Sequence, residues 1–198
     1  MKRNRKRNLY WLNNAQDKKV QNKIRMKFAS WNIRTMLDRQ NADRPERRSA
    51  IISLELSKYN IDIAALNEVR FLRTGHIREE TGYSICWSGE AADERSESGV
   101  ALAIRTELAT KLIEKPKAVS DRMMNLGVPL SDDGWCTVIA VYSPTITNSP
   151  ENINQFYHEL NKTLRSVPTP DKIVLMADFN ARVGQDHFTW PGVVGKFG

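Results

Sequence analysis

Near the C-terminus of this chain lies the stretch KIVLMADFN, residues 172–180, in which an apolar run ends in two polar residues. Its first five residues predict a buried β-strand, and Asp178 and Asn180 follow directly. Three earlier apolar runs also end in polar residues: Phe28–Trp31 in Asn32, Ile63–Leu66 in Asn67 and Glu68, and Val138–Val141 in Tyr142. We therefore expect short buried strands whose polar ends mark a functional site.

The polar strand ends predict metal-assisted hydrolysis of phosphodiesters, because such groups cost free energy unless paired and strand ends meet at one rim of a sheet. Mg²⁺ prefers oxygen ligands and is commonly held by one or two carboxylates, so Glu68 is the candidate ligand. Asn32 and Asn180 are amides suited to holding phosphate or metal-bound water. Tyr142 is suited to donating a hydrogen bond to a phosphate oxygen, and Asp178 to orienting the attacking water. Each residue also has a structural alternative, as a solvated strand end, a turn cap or a core tyrosine.

The rest of the chain alternates strand and helix signals. Apolar strands are expected at Met26–Ile33, Ile61–Leu66, Gly99–Ile104, Met123–Leu130, Trp135–Tyr142 and Lys172–Met176, with a hairpin turn at Ser131–Gly134. Residues 72–97 are polar, with one apolar island at Tyr83–Trp87. Because only two good helices accompany these strands, the pattern favours an α/β domain built on packed sheets over a doubly wound sheet.

The two helices are expected at Pro45–Tyr59 and from Ser149 onward. Ser149 is a natural N-cap and Pro150 suits the first helical position. The second helix has an apolar stripe that is predicted to face the core: Ile153, Phe156, Tyr157, Leu160 and Leu164.

Composition is typical of one globular domain, with 40% hydrophobic and 27% charged residues among 198. No apolar run approaches the roughly 20 residues that span a bilayer, and no membrane partner is expected. Cys86 and Cys136 have no metal-ligand spacing, so they are interpreted as small buried thiols of a reducing compartment. An intracellular location is expected, with the nucleus as one candidate.

Charge is concentrated at the N-terminus. Of the net charge of +7, residues 1–27 contribute +9, from ten Lys or Arg against one acidic residue, so the remaining residues sum to −2. Such a basic arm suits binding to a polyanion such as nucleic acid, through neutralisation of phosphates. A solvated tail without a partner is the alternative.

Five segments resemble, in order and spacing, motifs of the endonuclease/exonuclease/phosphatase family: Ala29–Met36 its N-motif, Ile63–Arg70 its Q-E strand, Ser98–Ile104 its S-G-V-A strand, Val141–Thr145 its Y-A-P-T segment and Met176–Ala181 its G-D-F-N-A motif. Asn67 replaces the glutamine and Ala177 the first glycine. The chain is most similar to the endonuclease domains of non-LTR retrotransposons and to craniofacial-development-protein-like relatives, which share the Gly-rich loop resembled by residues 182–198.

The resemblance implies a DNase I-like fold, a four-layer α/β sandwich of two packed mixed β-sheets, here without its last strands. It implies Mg²⁺ or Mn²⁺ as cofactor and the nicking of DNA. The roles it implies are a metal ligand for Glu68, support of the metal-bound phosphate for Asn32 and assistance to the transition state for Tyr142. Asp178 would orient the nucleophile and Asn180 the scissile phosphate. The chain then divides into a basic arm, residues 1–25, predicted to be disordered, and an incomplete domain of this family, residues 26–198.

The family pattern ends in an S-D-H motif, and this chain stops at Gly198 first. Residues 1–198 alone are therefore expected to be weakly active or inactive, since losing one member of a concerted set costs orders of magnitude in rate. Asp186 and His187 lie only a few residues past Asn180 and are interpreted as part of the loop. His76 and His158 are expected on the surface.

Two other functions remain open from the sequence. One is a phosphatase or phosphodiesterase acting on lipid or inositol phosphates, which share the scaffold. The other is a non-catalytic remnant that binds nucleic acid through its basic arm. The arm and the retrotransposon-like motifs favour the DNA-nicking endonuclease, and the oligomeric state is left open.

Overall fold

The sequence forms nine strands and three helices in the part of the chain that the structure, a computed structural model, describes, namely residues 25–38, 47–89, 98–130, 134–181 and 186–192. The strands are β1 (Phe28–Asn32), β2 (Ile63–Asn67), β3 (Gly75–Glu79), β4 (Tyr83–Ser88), β5 (Val100–Arg105), β6 (Lys117–Ser120), β7 (Met123–Pro129), β8 (Trp135–Tyr142) and β9 (Lys172–Asp178). The helices are α1 (Arg48–Lys58), α2 (Thr106–Ala109) and α3 (Pro150–Ser166).

The strands form two mixed sheets. The first has the order β1-β2-β5-β4-β3 and the second the order β6-β7-β8-β9. Only the pairs β1–β2 and β8–β9 are parallel, and the other pairs are antiparallel. Each parallel pair includes one edge strand, β1 or β9, in the described sheets. The prediction that these two strands are buried was wrong, because an edge position leaves most of their residues partly or fully exposed.

The core lies between the sheets. Ile63 of β2 and Leu102 of β5 pack in one cluster with Val138 and Ala140 of β8, and all four side chains are fully buried. These strands are buried on both faces, because α1 covers the outer face of the first sheet and α3 that of the second. The layers are therefore helix, sheet, sheet and helix, which confirms the predicted four-layer sandwich.

The start of α3 agrees with the prediction. Ser149 has extended backbone, its Oγ accepts a bond from the backbone N–H of Asn152 at 3.3 Å, and Pro150 is the first helical residue. Phe156 and Leu160 are buried against the second sheet. The prediction that Tyr157 belongs to the core face was wrong. Its side chain is 44% exposed, because it lies about 100° around the helix from the buried Phe156. The two rings pack edge-on, with centroids 5.2 Å apart.

Polar edge elements escaped prediction. β3 lies within the segment interpreted as polar, because its exposed His76 and Arg78 hide the alternation of an edge strand. β6 is nearly all exposed, and α2 has only four residues. By contrast, Trp135–Tyr142 is a strand with the predicted bounds, and Leu130 N–H donates to Gly134 O at 2.9 Å across the predicted hairpin turn, whose residues 131–133 lie outside the described part.

Several predictions concern residues near or beyond the limits of the described part. Most of the basic arm lies outside it, as does Pro45, and α1 begins at Arg48 without a side-chain cap. Cys86 and Cys136 are free thiols, the first half-buried and the second buried. Within the described ranges, no helix combines the length and the apolar character that crossing a membrane requires.

Candidate active site at the strand ends

The two parallel strand pairs bring the predicted site residues to one end of the sandwich. Asn32, the last residue of β1, pairs in register with Asn67, the last residue of β2, and Glu68 follows at once. In the second sheet, Tyr142 at the end of β8 pairs with Asp178 at the end of β9. Parallel strands carry their C-terminal residues to the same edge, so each pair delivers its polar ends together.

A direct hydrogen bond joins the two sheets at this end. The amide Nδ2 of Asn32 donates to Oδ2 of Asp178 at 2.9 Å. Oδ1 of Asp178 accepts from the backbone N–H of Asn180 at 3.1 Å, and Oδ1 of Asn32 accepts from the backbone N–H of Arg34 at 3.0 Å. Both terminal atoms of the Asn32 amide and both oxygens of the Asp178 carboxylate are therefore hydrogen-bonded, which fixes the orientation of these side chains.

Asn180 connects the Asp178 turn to the end of β8. Its Nδ2 donates to the backbone carbonyl of Ser143 at 2.7 Å, and Ser143 N–H donates to Asp178 O at 2.9 Å. The Asn180 side chain also lowers the pKa of the neighbouring Tyr142 phenol. Asn180 has a positive φ of 47°, a left-handed conformation that asparagine tolerates better than most residues.

Two carboxylates influence the phenol of Tyr142. Burial raises the pKa of its phenol, and the negative charges of Glu68 and, less strongly, Asp178 raise it further, whereas Asn180 and Arg122 lower it. The phenol is therefore protonated at neutral pH and available as a hydrogen-bond donor. Asn32 pairs with Asn67, the neighbour of Glu68, and donates to Asp178, so the two carboxylates lie on the same side of the molecule.

Arg122 lies over the ring of this tyrosine. The guanidinium carbon lies 5.5 Å from the ring centroid, and Tyr142 N–H donates to Arg122 O at 2.9 Å. Asp121 holds Arg122 at 3.7 Å and accepts from Ser98 Oγ at 2.6 Å. A polar cavity of about 450 Å³ opens beside Arg122 and Pro144, and none of the five predicted site residues lines it.

Glu68 is held by an arginine two residues further on. Arg70 Nη2 lies 2.7 Å from Glu68 Oε1, and the Glu68 side chain is 16% exposed. The neighbouring Asn67 is fully buried, and its Nδ2 donates a long bond of 3.3 Å to Ser30 Oγ. Asn67 Oδ1 has no hydrogen-bond partner among the described residues, so the site floor holds one unsatisfied buried acceptor.

Left-handed backbone conformations concentrate at this end of the molecule. Six described residues other than glycine have positive φ, and five of them lie in loops that follow β1, β2 or β9: Arg34, Glu68, Arg70, Arg73 and Asn180. For side chains such as Glu and Arg this conformation costs free energy, and it typically occurs where a functional geometry requires it.

The donor set fits a hard divalent cation. It consists of the Glu68 carboxylate, the Asn32 amide nearby and the Asp178 carboxylate, and the unsatisfied Asn67 oxygen adds a further acceptor. Within the described residues, no three or more His, Cys, Asp or Glu side chains form a metal-binding group. A hard divalent cation such as Mg²⁺ can be held by one or two carboxylates together with water.

The histidines take the positions expected of them. His76 and His158 are exposed on β3 and α3. Asp186 accepts from the backbone N–H of Thr189 at 3.0 Å, and the His187 ring lies 4.2 Å from that of Phe188. Asp186 therefore caps a turn of its own loop, in agreement with the interpretation of this pair.

The sequence profile of the Endonuclease/Exonuclease/phosphatase family matches residues 29–196. The chain belongs to this family. Its members are typically hydrolytic enzymes that generally use divalent metal ions. Two similar curated proteins are the craniofacial development protein 2 of Bos taurus and that of Tragulus javanicus, each 28% identical over 174 residues, or 86% of this chain. The chain spans only about a quarter of the length of these relatives, 26% and 27%.

Solved structures support the same fold. Family proteins from Leptotrichia buccalis and Bacteroides thetaiotaomicron each superpose with a TM-score of 0.52 at 16% identity. The matches cover 84% of this chain and 72% of the first structure, and 85% of this chain and 69% of the second. At this identity the likeness establishes the DNase I-like fold.

All five predicted residues lie at the same end of the sandwich, and their roles stay predictions. Sequence reasoning missed the contacts of Arg70 with Glu68 and of Arg122 with Tyr142. The only signal for Arg70 was its position two residues after the candidate ligand. Arg122 carried no signal, because an arginine at the start of a strand is ordinary.

Proposed function

We propose that this chain carries the site of a metal-dependent endonuclease that hydrolyses phosphodiester bonds of nucleic acid, of the DNA-nicking type found in non-LTR retrotransposons. Family membership supports hydrolysis of a phosphate ester. The observation that carries the proposal is the bond of 2.9 Å between Asn32 and Asp178, which joins the N-motif of one sheet to the D-F-N motif of the other. Glu68 and Tyr142 lie at the same end.

Each residue contributes a separate part of the reaction. A Mg²⁺ or Mn²⁺ ion held by Glu68, with Asn32 beside it, would polarise the phosphoryl oxygen and stabilise the leaving alkoxide. Asp178 is fixed through both carboxylate oxygens and orients the attacking water. Tyr142 keeps its proton and donates a hydrogen bond to a phosphoryl oxygen as negative charge develops. Asn180, anchored on Ser143, positions the scissile phosphate.

Nucleic acid is the substrate class that the charge distribution favours. Residues 1–27 carry a net charge of +9, whereas the rest of the chain sums to −2. A basic segment in the same chain as a site for phosphodiesters suits a polymer that presents many phosphates. A single head group of a lipid or inositol phosphate presents far fewer phosphates for that segment to bind.

The test is nicking of supercoiled plasmid in Mg²⁺, in Mn²⁺ and with a chelator. We expect nicking that requires the metal. We expect it to be slow, because the family pattern also includes the Asp and His of an S-D-H motif, which are not among the five candidate residues. Single-turnover conditions and long incubation are therefore needed. Glu68→Gln should lower the rate about 10²-fold or more, since the amide is a poor ligand for a hard cation. Glu107→Gln, an exposed change in α2, is the matched control.

Other outcomes identify the competing functions. Release of phosphate from inositol or lipid phosphates without plasmid nicking would replace the endonuclease by a head-group hydrolase. A salt-dependent gel shift without cleavage, lost when residues 1–27 are deleted, would identify a binding module. Nicking at the rate of a longer family member would contradict the expectation that residues 1–198 are weakly active.

A further inference from the structure

Arg70 occupies the carboxylate that the proposed function assigns to the metal. Its Nη2 lies 2.7 Å from Glu68 Oε1, and the Arg70 side chain is 41% exposed while that of Glu68 is 16% exposed. The Arg70 guanidinium and a metal cation would therefore compete for the same carboxylate, that of Glu68.

The backbone builds this contact into the fold. Glu68 and Arg70 have positive φ of 63° and 61°, and Val69 between them is fully buried. Val69 N–H donates to Gly99 O at 3.1 Å, and Arg70 N–H donates to Ser98 O at 2.9 Å. These bonds hold the segment to the first sheet, although Glu68 and Arg70 both have a left-handed backbone that their residue types disfavour. The contact between Glu68 and Arg70 is therefore fixed by the backbone and not only by two flexible side chains.

The arginine is only partly satisfied in this position. Its Nε is buried and has no hydrogen-bond partner among the described residues. A guanidinium has five N–H donors in a planar fork and binds carboxylate and phosphate best through two parallel bonds. Among the described residues the guanidinium makes one hydrogen bond, to Glu68, and its buried Nε–H makes none, so the group has capacity for a second acceptor.

We propose that Arg70 is a charge placeholder for the divalent cation. In the metal-free protein it neutralises Glu68, and when the cation binds there, like-charge repulsion and competition for the carboxylate displace the guanidinium. The displaced fork then binds an oxygen of the substrate phosphate beside the metal. The proposal rests on the proposed function in one respect, because it takes Glu68 as the metal ligand.

The placeholder role predicts effects of opposite sign on two ligands. Without Arg70 the cation has no competitor for Glu68, so its affinity should rise, whereas phosphate loses a binding group and its affinity should fall. A purely structural role predicts that both affinities fall together. The two affinities therefore separate the alternatives without any measurement of turnover.

The experiment compares Arg70→Asn with Arg73→Asn, since asparagine tolerates the left-handed backbone at both positions, where φ is 61° and 63°. Mn²⁺ binding is measured by electron paramagnetic resonance on residues 1–198. We expect Arg70→Asn to bind Mn²⁺ roughly threefold to tenfold more tightly, and Arg73→Asn to stay within about twofold of the parent chain. Binding of a short single-stranded oligonucleotide with uncleavable phosphorothioate linkages, in Mn²⁺, should weaken in Arg70→Asn.

Unchanged or weaker Mn²⁺ binding by Arg70→Asn overturns the placeholder role while leaving the metal site intact. No Mn²⁺ binding by the parent chain or either variant overturns the metal site of the proposed function and the placeholder with it. Circular dichroism melting checks that the variants fold. If Arg70→Asn does not, Arg70→Lys replaces it, because lysine lacks the planar fork. It should bind Mn²⁺ more tightly than the parent chain, and an unchanged affinity again overturns the proposal.

Discussion

The middle of the two sheets and the loops at their strand ends are built differently. In the middle, side chains such as Leu102 and Val138 are fully buried, and the backbone follows regular strand geometry. At the strand ends, polar side chains contact one another and left-handed backbone is concentrated. Stability therefore comes mainly from the middle, which holds the strained ends in place so that they can carry the chemistry.

The largest expected effect lies in the middle. Leu102→Ala removes a fully buried side chain between the sheets and should lower the free energy of unfolding by about 2–5 kcal/mol. Leu175→Ala, at a side chain 37% exposed on the edge strand β9, should lower it by roughly 1 kcal/mol or less. Urea unfolding followed by circular dichroism measures both. Equal costs would mean that β9 is as important to the core as β5.

At the strand ends, function should change more than stability. Asp178→Asn should slow single-turnover nicking about 10²-fold or more, because an amide cannot orient the attacking water as a carboxylate does. The new amide can accept only one of the bonds from Asn32 and Asn180 N–H, so unfolding should become easier by about 1 kcal/mol. A stability loss as large as that of Leu102→Ala would break the division between the two regions.

The helix caps allow a smaller and reciprocal test. Ser149 and Arg47 cap α3 and α1 with nearly the same backbone, at φ −64° and −63°, but only Ser149 accepts a side-chain bond. Ser149→Ala should cost about 1 kcal/mol, and Arg47→Ser should stabilise the protein by roughly 0.5 kcal/mol. Thermal unfolding of both variants checks this. A loss of stability in Arg47→Ser would show that its ion pair with Glu79 outweighs a cap.

The smallest expected effect is a decline in stability at alkaline pH. Burial raises the pKa of the Cys86 and Cys136 thiols above 9.0 and that of the Tyr83 phenol above 10.0. The folded state therefore holds these protons more tightly than the unfolded state, so stability is present below these ordinary values and is lost as pH rises through the higher folded values. Melting temperatures from pH 7 to about 11 should fall, and less steeply above pH 10 in Tyr83→Phe. An unchanged slope in that variant would exclude Tyr83 as a cause.

Sequence reasoning was accurate where one residue pattern had one physical meaning. The β8 strand had its predicted bounds because eight residues without a breaker follow a turn signal. The α3 start was predictable from Ser149 and Pro150, whose roles are local. β3 and β6 were missed, because a polar edge strand is recognisable only by the strand it pairs with. Tyr157 was wrongly assigned to the core, because the sequence of a helix does not show how wide a face of it the sheet will cover.

The sequence by itself determined which side chains have the required chemistry, because oxygen and amide groups placed directly after apolar runs must lie at strand ends. Only the tertiary structure decided that Asn32 and Asp178, 146 positions apart, share a hydrogen bond, since that depends on how two sheets pack. It also decided that Arg70 turns back onto Glu68, since the backbone of this segment is held by bonds from Val69 and Arg70 to Gly99 and Ser98, about thirty positions further along the chain.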